Sequence, residues 1–166
     1  MKYLDAYRSL HEKKRFKGYS IKRVVADIAH AVRDYDARTL LDYGCGQGFQ
    51  YTKRRVHEIW GVMPTLYDPA VTRWSAKPVG EFDGVICTDV LEHVPEDELP
   101  GVVDEIFLYA RKFVFLSICT APSKKKFPDG TNLHVTLREP AWWTALIAEH
   151  ATVPFRIVFH NGETEA

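Results

Sequence analysis

Several features that would place a protein in a special class are absent from this sequence. Its 166 residues contain no apolar run near the roughly 20 residues that a membrane-spanning helix needs. The N-terminal stretch MKYLDAYRSLHEKKRF has scattered charges and neither an apolar core nor a small-residue cleavage site, so no signal peptide is predicted. We therefore expect a cytoplasmic protein without a membrane partner.

Cysteine is also scarce. Cys45, Cys87 and Cys119 lie far apart, with no CxxC pair and no histidine at zinc-finger spacing. The pattern predicts neither a disulfide framework nor a structural zinc site. We expect three packed thiols and no bound metal.

The chain has no excess of charge of either sign. Its 22 basic and 22 acidic residues balance, although basic residues cluster in residues 13–23, 53–55 and 124–126. A nucleic-acid-binding face normally needs a strongly basic surface, so this class of partner is disfavoured. Lys124 to Lys126 weakly favour an anionic small molecule instead.

The apolar pattern alternates between strand and helix along most of the chain. Helical spacing occurs in residues 2–14, 20–32, 49–60, 95–112 and 139–149. Short apolar runs typical of strands occur in residues 38–43, 62–67, 82–89, 113–118 and 155–159. This order predicts an α/β fold, a doubly wound and mainly parallel sheet with helices on both faces. The length favours one domain over residues 1–166.

A glycine-rich turn follows the first predicted strand, in LLDYGCGQGFQY at residues 40–51. Gly44, Gly46 and Gly48 permit positive φ and remove Cβ atoms, so the backbone can approach a ligand closely. Ligands of such sheets bind at the carboxyl ends of the strands, where this turn lies. Asp42 adds a negative charge that suits a cation or an amine better than a pyrophosphate. The G-x-G-x-G spacing also differs from the G-x-G-x-x-G of dinucleotide sites.

These residues carry a resemblance to a known family. D-Y-G-C-G-Q-G resembles the D/E-x-G-x-G-x-G signature of class I S-adenosylmethionine-dependent methyltransferases. TLYDPA resembles their second strand, and FDGVICTDVLEHV resembles their fourth strand and the run after it. The resemblance covers about residues 20–120 and implies a Rossmann-like methyltransferase fold with S-adenosyl-L-methionine as cofactor.

The resemblance also implies which residues contact the cofactor. Asp68 would hold the ribose hydroxyls at the end of the second strand. The full implied set is Asp42, Gly44, Cys45, Gly46, Gly48, Asp68, Pro69, Asp89 and Val90.

The sequence departs from the family pattern in two places. The residues between Asp68 and Phe82 are too few for the usual helix and third strand, and they offer no clear acid for the adenine amine. After Trp143 there is room for one clear strand, where the family normally ends in a hairpin. The chain resembles a minimal family member.

Three residues are candidates for the chemistry. Methyl transfer is an in-line displacement that depends mainly on alignment, and a general base is optional. Asp89, Glu92 and His93 fall where an acceptor would meet the methyl group, and His93 is the candidate base because histidine titrates nearest neutral pH. His134 follows a loop that often covers the substrate. The alternatives are a turn or cap residue for Asp89, a backbone-bonded histidine for His93 and an ordinary loop residue for His134.

Aromatic residues near both ends have two possible roles each. Tyr7, His11 and Tyr19 could form a lid over the cofactor, although simple packing of the N-terminal helix is the favoured explanation. Trp142 and Trp143 are adjacent and must point in different directions, so one is expected in the core and the other at a pocket or interface.

The predicted reaction is methyl transfer to an oxygen or nitrogen of a small-molecule or nucleotide acceptor. Neither N-P-P-Y nor D-P-P-Y follows the fourth strand, and a Pro-Cys nucleophile is missing, which disfavours DNA methyltransferases. Two alternatives remain open. One is a noncatalytic module that binds S-adenosylmethionine or S-adenosylhomocysteine and acts through a partner. The other is an NAD-dependent oxidoreductase, because Asp68 lies at a suitable distance beyond the glycines to hold a ribose.

Overall fold

A five-stranded, all-parallel sheet forms the centre of the molecule. The computed structural model describes residues 3–13 and 20–162. The strands lie in the spatial order β2-β1-β3-β4-β5. They are β1 (Leu40–Tyr43), β2 (Thr65–Tyr67), β3 (Phe82–Thr88), β4 (Ala110–Cys119) and β5 (Phe155–His160).

Helices precede or connect these strands. The α-helices are α1 (Leu4–Glu12), α2 (Val25–Asp34), α3 (Phe49–Thr52), α4 (His57–Trp60), α5 (Leu99–Leu108) and α6 (Pro140–His150). Short 3₁₀ turns occur at Ser20–Val24, Thr72–Trp74, Leu91–His93 and Glu96–Glu98. Within the described ranges, none of these helices has the length and apolar character that a membrane crossing requires.

Successive strand residues feed two separate cores, as expected for strands that are buried on both faces. Leu41 packs in the core beneath α5 and α6. Its neighbour Leu40 packs in the opposite core, beneath α2 and α4. The predicted doubly wound sheet with helices on both faces is therefore confirmed.

One tryptophan of the adjacent pair lies in the core, as expected, while a pocket or interface role for the other stays a prediction. Trp143 has no solvent exposure and lies in the core below α6. Trp142 is half-buried, and the guanidinium of Arg138 lies 5.5 Å from its ring centroid.

Two expectations about helix limits are wrong. The helix predicted through Lys112 ends at Leu108, because Ala110 already pairs with Phe82 in the sheet. Arg111 and Lys112 therefore belong to β4. Their side chains approach the carboxylate of Asp83, at 3.4 and 3.6 Å, rather than the end of the helix.

The second wrong limit concerns the helix expected over residues 49–60. It is broken into α3 and α4, and Arg55 between them has a positive φ of 55°.

The order of the strands reverses at β1. The chain leaves β1 for β2 on one side and returns to β3 on the other side. Between β2 and β3 only the turn Thr72–Trp74 is regular, in agreement with the expected lack of a full third strand. Loops after β1 and β3 diverge at this edge, which is where ligands of such sheets bind.

Candidate active site

A cavity of about 770 Å³ opens at this edge of the sheet. One wall is the glycine turn with Asp68, and the facing wall is formed by residues 88–94 together with the ends of β4 and β5. Tyr7 and His11 of α1 line it from above. The volume falls within the roughly 300–1,000 Å³ that small-molecule and cofactor sites occupy.

The glycine turn is held in place by backbone contacts. Gly44 has φ 86° and donates from its N–H to the carbonyl of Tyr67 at 2.7 Å. A Cβ at Gly44 would lie 2.3 Å from Cγ2 of Val90. Gly46, with φ 56°, faces the cavity, where a Cβ would meet His11 alone among the described residues, at 3.6 Å. Gly44 is therefore needed for packing, while Gly46 leaves space for a ligand.

Asp68 orients the turn from the neighbouring strand end. Its Oδ2 accepts the N–H of Gly46 at 2.8 Å, and its Oδ1 accepts the N–H of Ala70 at 2.8 Å. The side chain lines the cavity although it is only 7% exposed. Each oxygen keeps a further lone pair, so the carboxylate can still accept hydroxyl groups of a ligand.

Asp42 lies beneath the turn and does not line the cavity. Its Oδ2 accepts hydrogen bonds from the hydroxyl of Tyr51 at 2.7 Å and from Nε2 of Gln50 at 3.2 Å. Burial raises the pKa of Asp42 to about 7, although these two hydrogen bonds oppose the shift. Gln50 also donates to the carbonyl of Cys45 at 3.0 Å, which links Asp42 to the turn.

Asp89 follows β3 in a left-handed conformation, with φ 55°. Its Oδ1 accepts hydrogen bonds from Oγ of Ser117 at 2.9 Å and from Nε2 of His160 at 2.8 Å. Arg23 lies 3.7 Å from the other carboxylate oxygen. Burial alone would lower the pKa of His160, but hydrogen bonds to Asp89 and Cys119 raise it to about 9.

The ring of His93 is anchored through one nitrogen. Nδ1 lies 2.9 Å from the carbonyl oxygen of Leu133, which can only accept, so Nδ1 carries the proton and Nε2 is the acceptor. Burial, together with the neighbouring His134, lowers the pKa of His93 to about 4. The ring is therefore neutral near pH 7, and the expectation that it titrates near neutral pH is wrong.

A thiol, an imidazole and a carboxyl group meet on the wall next to His93. Ligand atoms of Glu92, Cys119 and His134 lie within 4.8 Å of one another. Burial would raise the pKa of Cys119, but hydrogen bonds with His134 and His160 lower it to about 6. Burial raises the pKa of Glu92 to about 8, and the nearby charge of Asp89 adds to this effect.

The structure brings most of the predicted site residues to one cavity. The candidates for chemistry that line it are Asp89, His93 and His134. The candidates for cofactor contact that line it are Gly44, Cys45, Gly46, Asp68, Pro69, Asp89 and Val90. Asp42 and Gly48 do not line it. The roles of all these residues stay predictions.

The lid hypothesis involves three aromatic residues. Tyr7 and His11 line the cavity, and the hydroxyl of Tyr7 donates to the carbonyl of Leu133 at 2.7 Å. Tyr19 lies outside the described residues. Of the expected anion-binding lysines, Lys124 and Lys125 line the cavity.

Sequence reasoning missed Cys119 and His160 as site residues. Both are the last residues of their strands, Cys119 of β4 and His160 of β5. A search of every strand end for polar side chains would have found them, because the carboxyl ends of parallel strands share one edge. Glu92 was placed near the acceptor but was not given a role.

The residues of the cavity fit S-adenosylmethionine. Gly46 presents backbone without a Cβ, and Asp68 presents an oriented carboxylate suited to ribose hydroxyls. Within the described ranges, the acids that line the cavity are Asp68, Asp89 and Glu92, and the segment between Asp68 and Phe82 adds no acid that could bind the adenine amine.

Comparison with known proteins agrees with this geometry. A family model described as a methyltransferase domain matches residues 11–155. The chain belongs to the class I S-adenosylmethionine-dependent methyltransferase family. No curated protein matches this methyltransferase in a sequence comparison.

A solved structure shares the fold of this methyltransferase. It is an O-methyltransferase family protein from Burkholderia thailandensis, with a TM-score of 0.53 and 15% sequence identity. The match covers 78% of the present chain and 50% of the other chain, so this methyltransferase spans about half the length of that protein. At this identity the likeness concerns the fold alone.

Proposed function

We propose that the protein transfers the methyl group of S-adenosylmethionine to an oxygen or nitrogen of a small-molecule acceptor. The observation that carries the proposal is the composition of the cavity at the strand-order reversal. One wall of the cavity has a glycine turn and a carboxylate that suit the cofactor, at Gly46 and Asp68. The facing wall has two imidazoles that can accept or donate a proton, at His93 and His134. A nucleotide acceptor belongs to the same proposal.

Asp68 and the glycine turn form the cofactor end. Asp68 is fixed by two backbone N–H groups and so presents its remaining lone pairs in one orientation. Asp42 does not contact the cofactor directly but helps to position the glycine turn, since Gln50 donates both to its carboxylate and to the carbonyl of Cys45. When bound, S-adenosylmethionine supplies a methyl group on a positively charged sulfur, and alignment of the acceptor is then worth about 7–11 kcal/mol.

His93 handles the proton at the acceptor end. Its Nδ1–H donates to Leu133, which orients the ring and leaves the Nε2 lone pair as the acceptor. The lowered pKa keeps this lone pair unprotonated at neutral pH. Nε2 of His93 accepts a hydrogen bond from the acceptor group and takes up its proton.

Lys124 and Lys125 support an anionic acceptor. Both line the cavity in the loop between β4 and α6. A carboxylate or phosphate on the acceptor would be attracted to this side of the cavity. An uncharged acceptor remains the alternative outcome.

A noncatalytic binding module is the second candidate. Among the described residues, the segment between β2 and β3 forms no strand and adds no acid to the cavity wall, which favours this candidate because recognition of the adenine would then be weaker. This candidate predicts binding of S-adenosylmethionine or S-adenosylhomocysteine without turnover.

Thermal unfolding with added ligand tests the cofactor. At about one hundred times Kd, one-site binding adds about 2.7 kcal/mol, which raises Tm by roughly 5–10 °C for a domain of this size. We expect this rise with S-adenosylmethionine and S-adenosylhomocysteine and none with NAD. A rise with NAD alone would favour the oxidoreductase alternative, and no rise with any ligand would overturn cofactor binding.

Turnover tests the role of His93. With radiolabelled S-adenosylmethionine and a panel of small phenols, carboxylic acids and amines, His93→Ala should lower kcat by about 10²- to 10⁴-fold and leave cofactor affinity unchanged. The exposed His30 on α2 supplies the matched control, His30→Ala. Turnover of His93→Ala equal to that of the control would remove His93 from the mechanism. Binding without turnover across the panel would favour the noncatalytic module.

A further inference from the structure

Three different ligand types from three separate parts of the chain converge on the cavity wall. Glu92 lies in the 3₁₀ turn after β3, Cys119 ends β4, and His134 lies in the loop before α6. All three side chains line the cavity. Their ligand atoms lie within 4.8 Å of one another. A tetrahedral zinc ion with ligands at about 2.0–2.3 Å holds them roughly 3.3–3.8 Å apart, so small side-chain rotations close the remaining gap.

Glu92 has an unsatisfied oxygen at this point. Its side chain has no solvent exposure. Oε1 accepts the backbone N–H of Cys119 at 3.1 Å, whereas Oε2 has no hydrogen-bond partner among the described residues. A buried carboxyl oxygen without a partner is costly, and coordination to a metal ion is one way to satisfy it.

The other two side chains are already oriented as ligands. Nδ1 of His134 donates to the carbonyl of Ala121 at 2.6 Å, which leaves the lone pair on Nε2. Histidine ligands of metals usually donate their second nitrogen to such a carbonyl. Cys119 would bind a metal as its thiolate, and its Sγ lies next to the imidazole of His134 within the group.

The chemical types of the three ligand groups indicate which metal ion they would bind. A thiolate and an imidazole favour Zn²⁺ over Mg²⁺ or Ca²⁺, which prefer oxygen ligands alone. Three protein ligands also leave the fourth position of a tetrahedral ion open, as in catalytic rather than structural zinc sites. We propose that Glu92, Cys119 and His134 bind one Zn²⁺ ion whose open position faces the cavity.

Sequence spacing could not show this site. Neither a CxxC pair nor a histidine at finger spacing is present, because the ligands come from three elements that only the strand order brings together. All three cysteines are buried, as expected for packed thiols. Cys119 differs from the expectation because its thiol also contacts His134 and His160.

The ion would activate the methyl acceptor, an inference that rests on the proposed function. His93 is adjacent, with its ring centroid 4.9 Å from that of His134. An acceptor hydroxyl in the open position of the ion would have a lowered pKa, as zinc-bound water does. A nearby weak base such as His93 would then suffice for proton transfer.

Metal binding is tested on the tag-free full chain without S-adenosylmethionine. The protein is treated with a chelator, dialysed and titrated with ZnCl₂ by calorimetry, and Co²⁺ then serves as a spectroscopic probe. We expect one Zn²⁺ per chain and, with Co²⁺, a thiolate-to-cobalt charge-transfer band. Less than half an ion per folded chain would overturn the site.

Variants assign the ligands. Cys119→Ser should lose the charge-transfer band, and Glu92→Gln should weaken Zn²⁺ binding by at least about tenfold. Cys45→Ser is the matched control, because Cys45 is also buried and also lines the cavity, and it should keep the band. A band that survives in folded Cys119→Ser would overturn the assignment.

A separate assay addresses the acceptor step. Methyl transfer is compared in chelator-treated and zinc-reconstituted protein, with cofactor binding measured alongside by thermal shift. Zinc-dependent turnover supports the acceptor role, while turnover independent of bound zinc overturns that role and leaves the binding site in place. Failure to bind S-adenosylmethionine would overturn the proposed function without affecting the metal titration.

Discussion

The carboxylate of Asp68 accepts the backbone N–H of Gly46 at 2.8 Å and so joins the end of β2 to the glycine turn after β1. The same carboxylate holds the N–H of Ala70. Asp68 therefore has a structural task and, under the proposed function, a ligand task. Substitution should affect both, and the two effects can be measured separately.

Asp68→Ala should weaken S-adenosylmethionine binding by roughly 10- to 100-fold, because hydrogen bonds to a charged group contribute about 1.5–3 kcal/mol. It should also lower the free energy of unfolding, since two backbone N–H groups lose their acceptor. Calorimetric titration checks the first effect and urea unfolding the second. The exposed Asp97 gives the control Asp97→Ala, which should change neither. Equal ligand affinity in both variants would contradict the assignment of Asp68 to the cofactor.

Part of the site could be predicted because its residues are contiguous with strand ends in the sequence. The glycine turn directly follows β1, and Asp68 and Asp89 directly follow β2 and β3. A polar residue that directly follows an apolar run can be recognised from the sequence alone. Parallel strands then bring such residues to one edge regardless of the details of packing.

The rest depends on contacts between distant segments. The lowered pKa of His93 results from burial and from the neighbouring His134, while the hydrogen bond to Leu133 opposes the shift. The environment of Cys119 depends on which strand lies next to β4, since His160 of β5 contacts it. The order of the strands was not evident in the sequence, so these environments were missed.

Gly44→Ala should destabilise the protein strongly. The new Cβ would lie 2.3 Å from Val90, and the backbone has φ 86°. The left-handed conformation alone costs about 1–2 kcal/mol, and the collision adds to it. Urea unfolding should therefore show a loss of at least roughly 2 kcal/mol.

Two further variants test the reason for this loss. Gly101→Ala in α5 should stabilise the protein by up to about 1 kcal/mol, because a Cβ there meets no atom of the described residues within 4 Å and helices favour alanine. Gly44→Ala should cost less unfolding free energy when it is introduced into Val90→Ala than when it is introduced into the wild type. The difference between the two costs is the part due to the collision with Val90. Equal costs would mean that backbone strain accounts for the whole effect.

Asp42 should make stability depend on pH. Its pKa is raised from 3.8 to about 7 in the folded protein, so the folded state binds an extra proton between these pH values. The contribution of Asp42 to stability is therefore full below about pH 4 and is lost as pH rises to about 7, with a slope up to about 1.4 kcal/mol per pH unit.

Asp42→Asn isolates this contribution. Asparagine can still accept the hydrogen bond from Tyr51 but does not titrate. The difference in unfolding free energy between wild type and variant, measured by urea unfolding from about pH 4 to pH 8, should shift in favour of the variant as pH rises. A difference that stays constant over this range would show that Asp42 titrates at its ordinary pKa.

Tyr7→Phe should loosen the contact of α1 with the cavity. Burial raises the pKa of Tyr7, and the charge of Glu92 adds to this, so the hydroxyl stays protonated and donates to Leu133 at 2.7 Å. Phenylalanine keeps the ring against Phe127 but removes this bond, at an expected cost of about 1 kcal/mol. Hydrogen exchange should accelerate at the amides of α1 before it does so in the sheet. Tyr35→Phe is the control, because Tyr35 also packs against a phenylalanine ring, 5.0 Å from Phe113, without lining the cavity. Faster exchange of α1 in both variants would mean that the hydroxyl of Tyr7 does not fasten this helix.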